Sequence, residues 1–235
     1  MAYSLITIEQ TKSPISEAYR ALRTNVQFTS VDSVTQKIVF TSSGPREGKS
    51  YTVANLGVSM AQSGKSVLII DADLRNPTQH KLFGLDNGEG LSVYLVQDQD
   101  YRKYTRETNV PGVLVIPSGP VPPNPAELVG SKRMKCLIEE VSEQFDMVLI
   151  DTPPIIAVTD AAILAQKVDG VILVLASGEV NKIYAQKAKG QLDKLGVKIL
   201  GAVLNKVDVN LNEYYYYYYN SSDDTKKKHF PQVGD

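Results

Sequence analysis

The plainest chemical signal in the chain is the run Ser43-Gly44-Pro45-Arg46-Glu47-Gly48-Lys49-Ser50. Against the pattern G-x-x-x-x-G-K-[ST], its last three positions match, and Ser43 stands in place of the first glycine. Gly48 lets the backbone bend close to a phosphate, and amides at the start of the following helix point at it. Lys49 offers a mobile cation to β- and γ-phosphates, while the Ser50 hydroxyl suits Mg2+. A Gly-Lys-Ser triplet by itself also describes a capped helix with a solvated lysine. The apolar run before it, the helical run after it and the acidic residues downstream favour nucleotide binding.

Those acidic residues close two strand-like runs. Val67–Ile70 leads into Asp71-Ala72-Asp73-Leu74-Arg75, and Met147–Ile150 into Asp151-Thr152-Pro153-Pro154. If the chain stays extended, residues 71, 73 and 75 share one side, which aims two carboxylates and a guanidinium at the same space. In open parallel sheets ligands bind outside the carboxyl ends of the strands, so the phosphate loop and three carboxylates are expected to converge there. Mg2+ is satisfied by one carboxylate, one hydroxyl, phosphate oxygens and waters. A spare carboxylate near a γ-phosphate can take a proton from an attacking hydroxyl or water. The plainer alternative has Asp71 capping the next turn and pairing with Arg75.

The elements that must position these residues follow from periodicity. Ser13-Pro14 followed by Ile15, Ala18, Tyr19, Leu22 and Val26 marks a capped helix. Lys37–Ser42 reads as a strand, about Lys49 to Gln62 as a helix, and Val113–Ile116 as a strand. Prolines 117, 120, 122, 123 and 125 make the next stretch an irregular loop. Ala126–Phe145 has helical periodicity, Asp160–Lys167 and Asn181–Leu195 are helical, and Val171–Leu175 and Lys198–Leu204 are strands. Apolar strands alternating with helices predict an α/β fold with a mostly parallel central sheet and helices on both faces. The division expected is one domain over 1–205 and a flexible tyrosine-rich tail over 206–235.

Composition narrows the function classes. With 235 residues and 43% hydrophobic content the chain can bury a full core. The 25 Lys+Arg against 26 Asp+Glu leave a net charge of −1, which argues against coating nucleic acid by bulk positive charge. One cysteine, Cys136, rules out an internal disulfide and a cysteine zinc cluster, and it is expected to be a buried small apolar residue of its helix. Two histidines are too few for a histidine-rich metal site. Met1–Gln10 has no secretory pattern, and apolar runs such as Val171–Ala176 fall far short of the ~20 residues of a membrane span. The expectation is a soluble, cytoplasmic protein.

Taken together, these residues resemble the bacterial protein-tyrosine kinases (BY-kinases) of capsule and exopolysaccharide synthesis, in their stand-alone cytoplasmic form. Pro45-x-x-Gly48-Lys49-Ser50 resembles the Walker A motif of this P-loop NTPase-like family, and Ile69–Arg75 its Walker A′ motif. Leu149–Pro154 is similar to its Walker B motif, and Pro122-Pro123-Asn124-Pro125-x-Glu127-Leu128 is also typical. The resemblance implies ATP and Mg2+. Catalysis would fall to Lys49, which steadies the transferring phosphoryl group, and to Asp71 as base. Ser50, Asp73 and Asp151 would hold the metal directly or through water. Gly44, Pro45, Arg46, Glu47, Gly48, Lys49, Ser50 and Tyr51 would cradle the nucleotide, and Asn205 would meet the adenine. Arg46 stands where the family often has glycine, so its side chain receives no special role.

Two peripheral features fit the same family. Glu17-x-x-Arg20-x-x-Arg23 resembles its oligomerisation motif, although a polar helix face is by itself routine. On an ideal helix Glu17 and Arg20 lie away from Ile15, Leu22 and Val26, with Arg23 on the flank, so all three are expected to be available to a neighbouring subunit. The implied assembly is a ring-like homo-oligomer. Tyr214, Tyr215, Tyr216, Tyr217, Tyr218 and Tyr219 resemble the family's autophosphorylation cluster, and each phosphate would add about −1.5 to −2 charges. The family further implies a membrane activator acting in trans at the inner face of the plasma membrane, protein-tyrosine substrates and a cognate phosphotyrosine phosphatase. It implies no nucleic-acid partner. The competing reading is a partitioning or septum-placing switch ATPase that binds DNA or membrane. Such ATPases usually carry lysine at the second position of Walker A, where this chain has Gly44. A scaffold that has lost catalysis is a third reading, opposed by the intact set of Lys49, Asp71, Asp73 and Asp151.

Overall fold

In the computed structural model, residues 5–29, 35–97 and 99–208 are described. The strands are β1 (Lys37–Ser42), β2 (Val67–Asp71), β3 (Arg106–Glu107), β4 (Val113–Ile116), β5 (Met147–Asp151), β6 (Gly170–Ala176) and β7 (Ile199–Asn205). They form one sheet in the order β3-β4-β2-β5-β1-β6-β7. Every pairing is parallel except β3 with β4 at the edge. The connecting helices are α1 (Ile6–Glu9), α2 (Pro14–Phe28), α3 (Lys49–Ala61), α4 (Gln79–Phe83), α5 (Leu91–Val96), α6 (Pro125–Gly130), α7 (Lys132–Ser142), α8 (Asp160–Ala165) and α9 (Lys182–Lys194).

Strand side chains alternate between two cores, as a sheet covered on both faces requires. Val39, Leu68, Ile70, Val148, Ile150, Val171 and Leu173 pack with residues of α5 through α9. Their neighbours Ile38, Phe40, Val67, Ile69, Leu149, Ile172 and Val174 pack with α2, α3 and α4. Helix α3 is the axis of the second core, with an unbroken buried stretch from Thr52 to Met60. Its Asn55 is fully buried, accepts from the Thr7 N–H at 3.1 Å and hydroxyl at 2.9 Å, and so ties α1 down. Burying that amide is tolerable because its oxygen and nitrogen are both bonded, the latter to the Tyr51 carbonyl at 2.9 Å.

Three expectations are corrected here. The helical run over Ala126–Phe145 is two helices, because Ser131 is extended (φ −61°, ψ 158°) and its hydroxyl caps α7 through the Met134 N–H at 3.1 Å. A serine that satisfies the next helix's first amides competes with continuation of the previous one. Cys136 is exposed, since α7 buries Met134, Leu137, Ile138 and Val141 and Cys136 lies off that stripe. Ile15 is half exposed, because α2 is anchored through Ser16, Tyr19 and Val26 instead. Ser13 does cap α2, accepting from the Ser16 N–H at 3.2 Å, with Pro14 in its first turn. Among the described residues no helix is long and apolar enough to cross a membrane.

Candidate active site

Strand order brings the motifs together. β2, β5 and β1 are neighbours, so Asp71, Asp151 and the loop after β1 leave the sheet side by side. Asp71 and Asp151 are register partners, and Asp151 is also the partner of Phe40 on β1. This follows from topology: the chain moves outward from β1 to β2 and β4, then returns to insert β5 between β2 and β1. Ligands bind at such a reversal in open α/β sheets.

The loop from Ser43 to Gly48 is built around a buried carboxylate. Glu47 turns inward, and its Oε1 accepts from the Ser43 hydroxyl at 2.6 Å and from the Gly44 N–H. Its Oε2 accepts from the Ala176 N–H on β6 at 3.3 Å. Glu47 therefore shapes the loop with its side chain. Gly48 has φ +83°, and a Cβ there would sit 1.9 Å from the Asn205 side-chain nitrogen, so only glycine fits. The Asn205 amide, expected at the adenine, donates to the Glu47 carbonyl at 3.0 Å and so braces the loop. Arg46 also has positive φ, at 63°.

A cavity of about 730 Å³ opens over this loop, lined by Gly44 through Tyr51 together with Ser42, Asp73, Asn76, Thr78, Leu82 and Pro154. That volume suits a nucleotide-sized ligand. Lys49 lies buried at its floor, with Nζ bonded to Asp151 Oδ1, 3.3 Å from Ser50 Oγ and 3.8 Å from Asp73 Oδ2. One cation is thus shared by a hydroxyl and two carboxylates. Tyr51 lines the cavity while its hydroxyl accepts from the Ile6 N–H at 3.2 Å.

Asp71 is fully buried. Its Oδ2 accepts from the Thr78 N–H at 3.0 Å and the Gln79 N–H at 2.9 Å, and its Oδ1 has no partner. Burial first, and then the neighbouring Asp151 carboxylate, push its pKa up to about 8, against the opposing pull of the Gln79 amide and Lys49. Burial likewise raises Asp73, with Lys49 opposing. Of residues 71, 73 and 75, the two carboxylates both lie by Lys49 and Asp151, but Arg75 does not share that space, because the strand stops at Asp71. Asp73 Oδ1 accepts from the Asn76 N–H at 3.0 Å, which closes a turn. Arg75 swings away to meet Asp160 of α8 in a two-point pair at 3.0 and 3.1 Å.

Sequence reasoning missed Gln79, the first residue of α4. It is fully buried, and its side-chain nitrogen donates to Asp151 Oδ2 at 2.8 Å and to the Ser50 carbonyl at 3.0 Å. Nothing in the local pattern marks it, since its partners are 29 and 72 residues away.

The donor set suits Mg2+ rather than a metal caged wholly by protein. Among the described residues no group of three or more His, Cys, Asp or Glu side chains can hold an ion. Ser50, Asp73 and Asp151 around one lysine instead leave positions for phosphate oxygens and water, the arrangement Mg2+ prefers. Glu17 and Arg20 of α2 pair with each other, and Arg20 also donates to the Thr11 carbonyl at 2.5 Å. Arg23 is not free: it donates to the Ser59 carbonyl of α3 at 2.7 Å. The tail tyrosines Tyr214–Tyr219 lie outside the described residues.

Comparison with known proteins agrees with this geometry. A family model described as an AAA domain matches residues 36–187. Tyrosine-protein kinase YwqD of Bacillus subtilis (strain 168) is 47% identical over 205 residues, covering 87% of this chain and 86% of that protein. The kinase domain of the Escherichia coli tyrosine kinase ETK superposes with a TM-score of 0.84 at 35% identity, covering 88% of this chain and 82% of that one. The septum site-determining protein MinD of Pyrococcus horikoshii OT3, complexed with Mg-ADP, has a TM-score of 0.63 at 24% identity over 74% of this chain and 71% of that one. At that identity it shares the fold alone, a P-loop NTPase-like parallel sheet. With the identity to YwqD extending over most of both chains, this chain belongs to the family of bacterial tyrosine-protein kinases.

Proposed function

We propose that this chain is an ATP-dependent protein-tyrosine kinase that phosphorylates its own C-terminal tyrosines, Tyr214–Tyr219, and regulates capsule or exopolysaccharide synthesis and export. Residues 1–205 are the catalytic unit and 206–235 the acceptor tail. The observation that carries the reading is the cluster at the cavity floor: Lys49 between Asp151 and Asp73, with the unpartnered Oδ1 of Asp71 one strand away.

In this reading ATP lies in the cavity, its phosphates against the backbone of Gly44–Ser50. Lys49 leaves Asp151 for the β- and γ-phosphates. Ser50, Asp73 and Asp151 hold Mg2+, which supplies charge neutralisation for the phosphates. An acceptor tyrosine oxygen bonds to the γ-phosphorus as the bond to the ADP oxygen breaks, and the phenolic proton passes to Asp71. Phosphoryl transfer needs mainly placement and charge stabilisation, which these residues provide. Glu17 and Arg20 form the outward part of a ring-like homo-oligomer contact, and Arg23 holds their helix to α3. A membrane protein acting in trans would recruit and activate the chain at the inner face of the plasma membrane, with a phosphotyrosine phosphatase reversing the modification.

The test is intact-mass spectrometry after incubation with ATP and Mg2+, with mapping of the tail and with the activator's cytoplasmic segment present. Phosphate on Tyr214–Tyr219, absent in Lys49→Met and in a variant with all six changed to Phe, is the expected result. No phosphate, with ATP hydrolysis stimulated by DNA or lipid, would overturn it in favour of a switch ATPase.

A further inference from the structure

One residue bonds to all three motifs and belongs to none of them. The Gln79 backbone N–H donates to Asp71 Oδ2 at 2.9 Å. Its side-chain nitrogen spans the Ser50 carbonyl at 3.0 Å and Asp151 Oδ2 at 2.8 Å. The residue is fully buried, so these contacts are not exchanged with water. The amide can face only one way. Turned over, its oxygen would meet a carbonyl and a carboxylate, neither of which donates. The observed orientation leaves Gln79 Oε1 buried without a partner. Stranding a buried acceptor is unfavourable, so the two bonds made by the nitrogen outweigh a lost one.

The consequence for Asp151 is specific. With Oδ2 held by Gln79, Oδ1 is the oxygen left to Lys49, which lines the cavity. When Lys49 moves to a phosphate, Oδ1 is released toward the metal while the carboxylate plane stays fixed. The same amide fixes the backbone of Ser50, whose hydroxyl is the other metal-facing oxygen. We propose that Gln79 is a positioning residue for the magnesium site: it presets the spacing of the Ser50 hydroxyl and Asp151 Oδ1, and with its backbone it sets the orientation of Asp71. It touches no reacting atom. Residues that orient ligating carboxylates commonly govern metal affinity nearly as strongly as the ligands do. This inference rests on the nucleotide and magnesium part of the reading above.

The test is binding of a fluorescent ADP analogue to the full chain, titrated with Mg2+ and repeated in EDTA. Gln79→Met keeps the length, the burial and the backbone donor to Asp71, and removes the amide. The Mg2+ concentration for half-maximal enhancement of binding is expected to rise roughly tenfold or more, with metal-free affinity within about twofold of wild type. An unchanged Mg2+ midpoint would overturn the proposal. So would an equal loss of affinity with and without Mg2+, which is what a merely structural role would produce. Gln79→Leu repeats the measurement should Gln79→Met not fold. No phosphate is transferred in this assay, so it can succeed or fail whether or not the wild type phosphorylates tyrosine.

Discussion

Replacing Asp71 by Asn tests the electrostatics of the site where they are most unusual. Asp71 is fully buried beside a second carboxylate, and its pKa is pushed from 3.8 up to about 8. Between those values the folded protein keeps a proton that the unfolded chain has released. The stability this group contributes is therefore complete below the ordinary carboxyl value and is lost as pH rises to about 8. For one proton the slope is about 1.4 kcal/mol per pH unit. Asn keeps an oxygen to accept from Thr78 and Gln79 and carries no titrating proton. The stability of Asp71→Asn minus that of wild type should therefore grow by about 1.4 kcal/mol per pH unit between roughly pH 5 and pH 8. For a chain of this size that corresponds to about 3–6 °C in Tm per pH unit. Asp73, also raised, is present in both proteins and largely cancels. The assay is thermal or urea denaturation in EDTA without nucleotide, across that range. Parallel profiles, or a difference that shrinks as pH rises, would refute the assigned burial and charge coupling. With saturating Mg2+ and ADP the difference should flatten, because a nearby divalent charge favours the ionised carboxylate. Phosphoryl transfer by the variant should fall about 10²–10⁴-fold, the usual share of a general base.

Other consequences can be checked with equally simple measurements. Lys49→Met strands Asp151 and Asp73 without their cation, so nucleotide-free stability should drop by about 3 kcal/mol at neutral pH. A loss below about 1 kcal/mol, read by urea denaturation, would contradict this. Gly48→Ala places a methyl group against Asn205 at positive φ and should cost at least about 1–2 kcal/mol while abolishing nucleotide binding; Gly48→Ala with Asn205→Ala should recover part of the stability but not all. Glu17→Ala removes only a surface pair, so the monomer should lose less than about 1 kcal/mol. A loss of oligomer by sedimentation in that variant would then report the contact itself. Arg23→Ala, which breaks a bond between α2 and α3, should instead lower Tm measurably.

Much of the architecture was legible because it depends on local chemistry. The apolar runs at Lys37–Ser42, Val67–Ile70 and Val113–Ile116 became strands within a residue of expectation, since strands buried on both faces read as near-continuous apolar runs. The Gly-Lys-Ser turn was legible because a phosphate loop needs glycine at a positive φ and a helix directly after it. The strand-end acids were legible because ligands gather at carboxyl ends. Periodicity alone is not decisive in α6 and α7. Ser131 splits a helix that its pattern would continue, and Cys136 lies one step off the buried stripe.

The site itself divides along the same line. That Lys49, Ser50, Asp73 and Asp151 would gather in one place was legible from type and spacing, because each sits in a short motif at the carboxyl end of a strand. That Arg75 would leave them for Asp160, that Asn205 would brace the loop, and that Glu47 would fold inward depended on which strands became neighbours. Gln79 is the extreme case, a residue on a five-residue helix whose partners come from β5 and the first turn of α3. The upward shift of the Asp71 pKa has the same origin. Sequence placed a carboxylate at a strand end, but only the insertion of β5 beside β2 set Asp151 against it and buried both. Chemical identity is carried by the residue, whereas burial and charge coupling are properties of what surrounds it, and the surroundings come from distant parts of the chain.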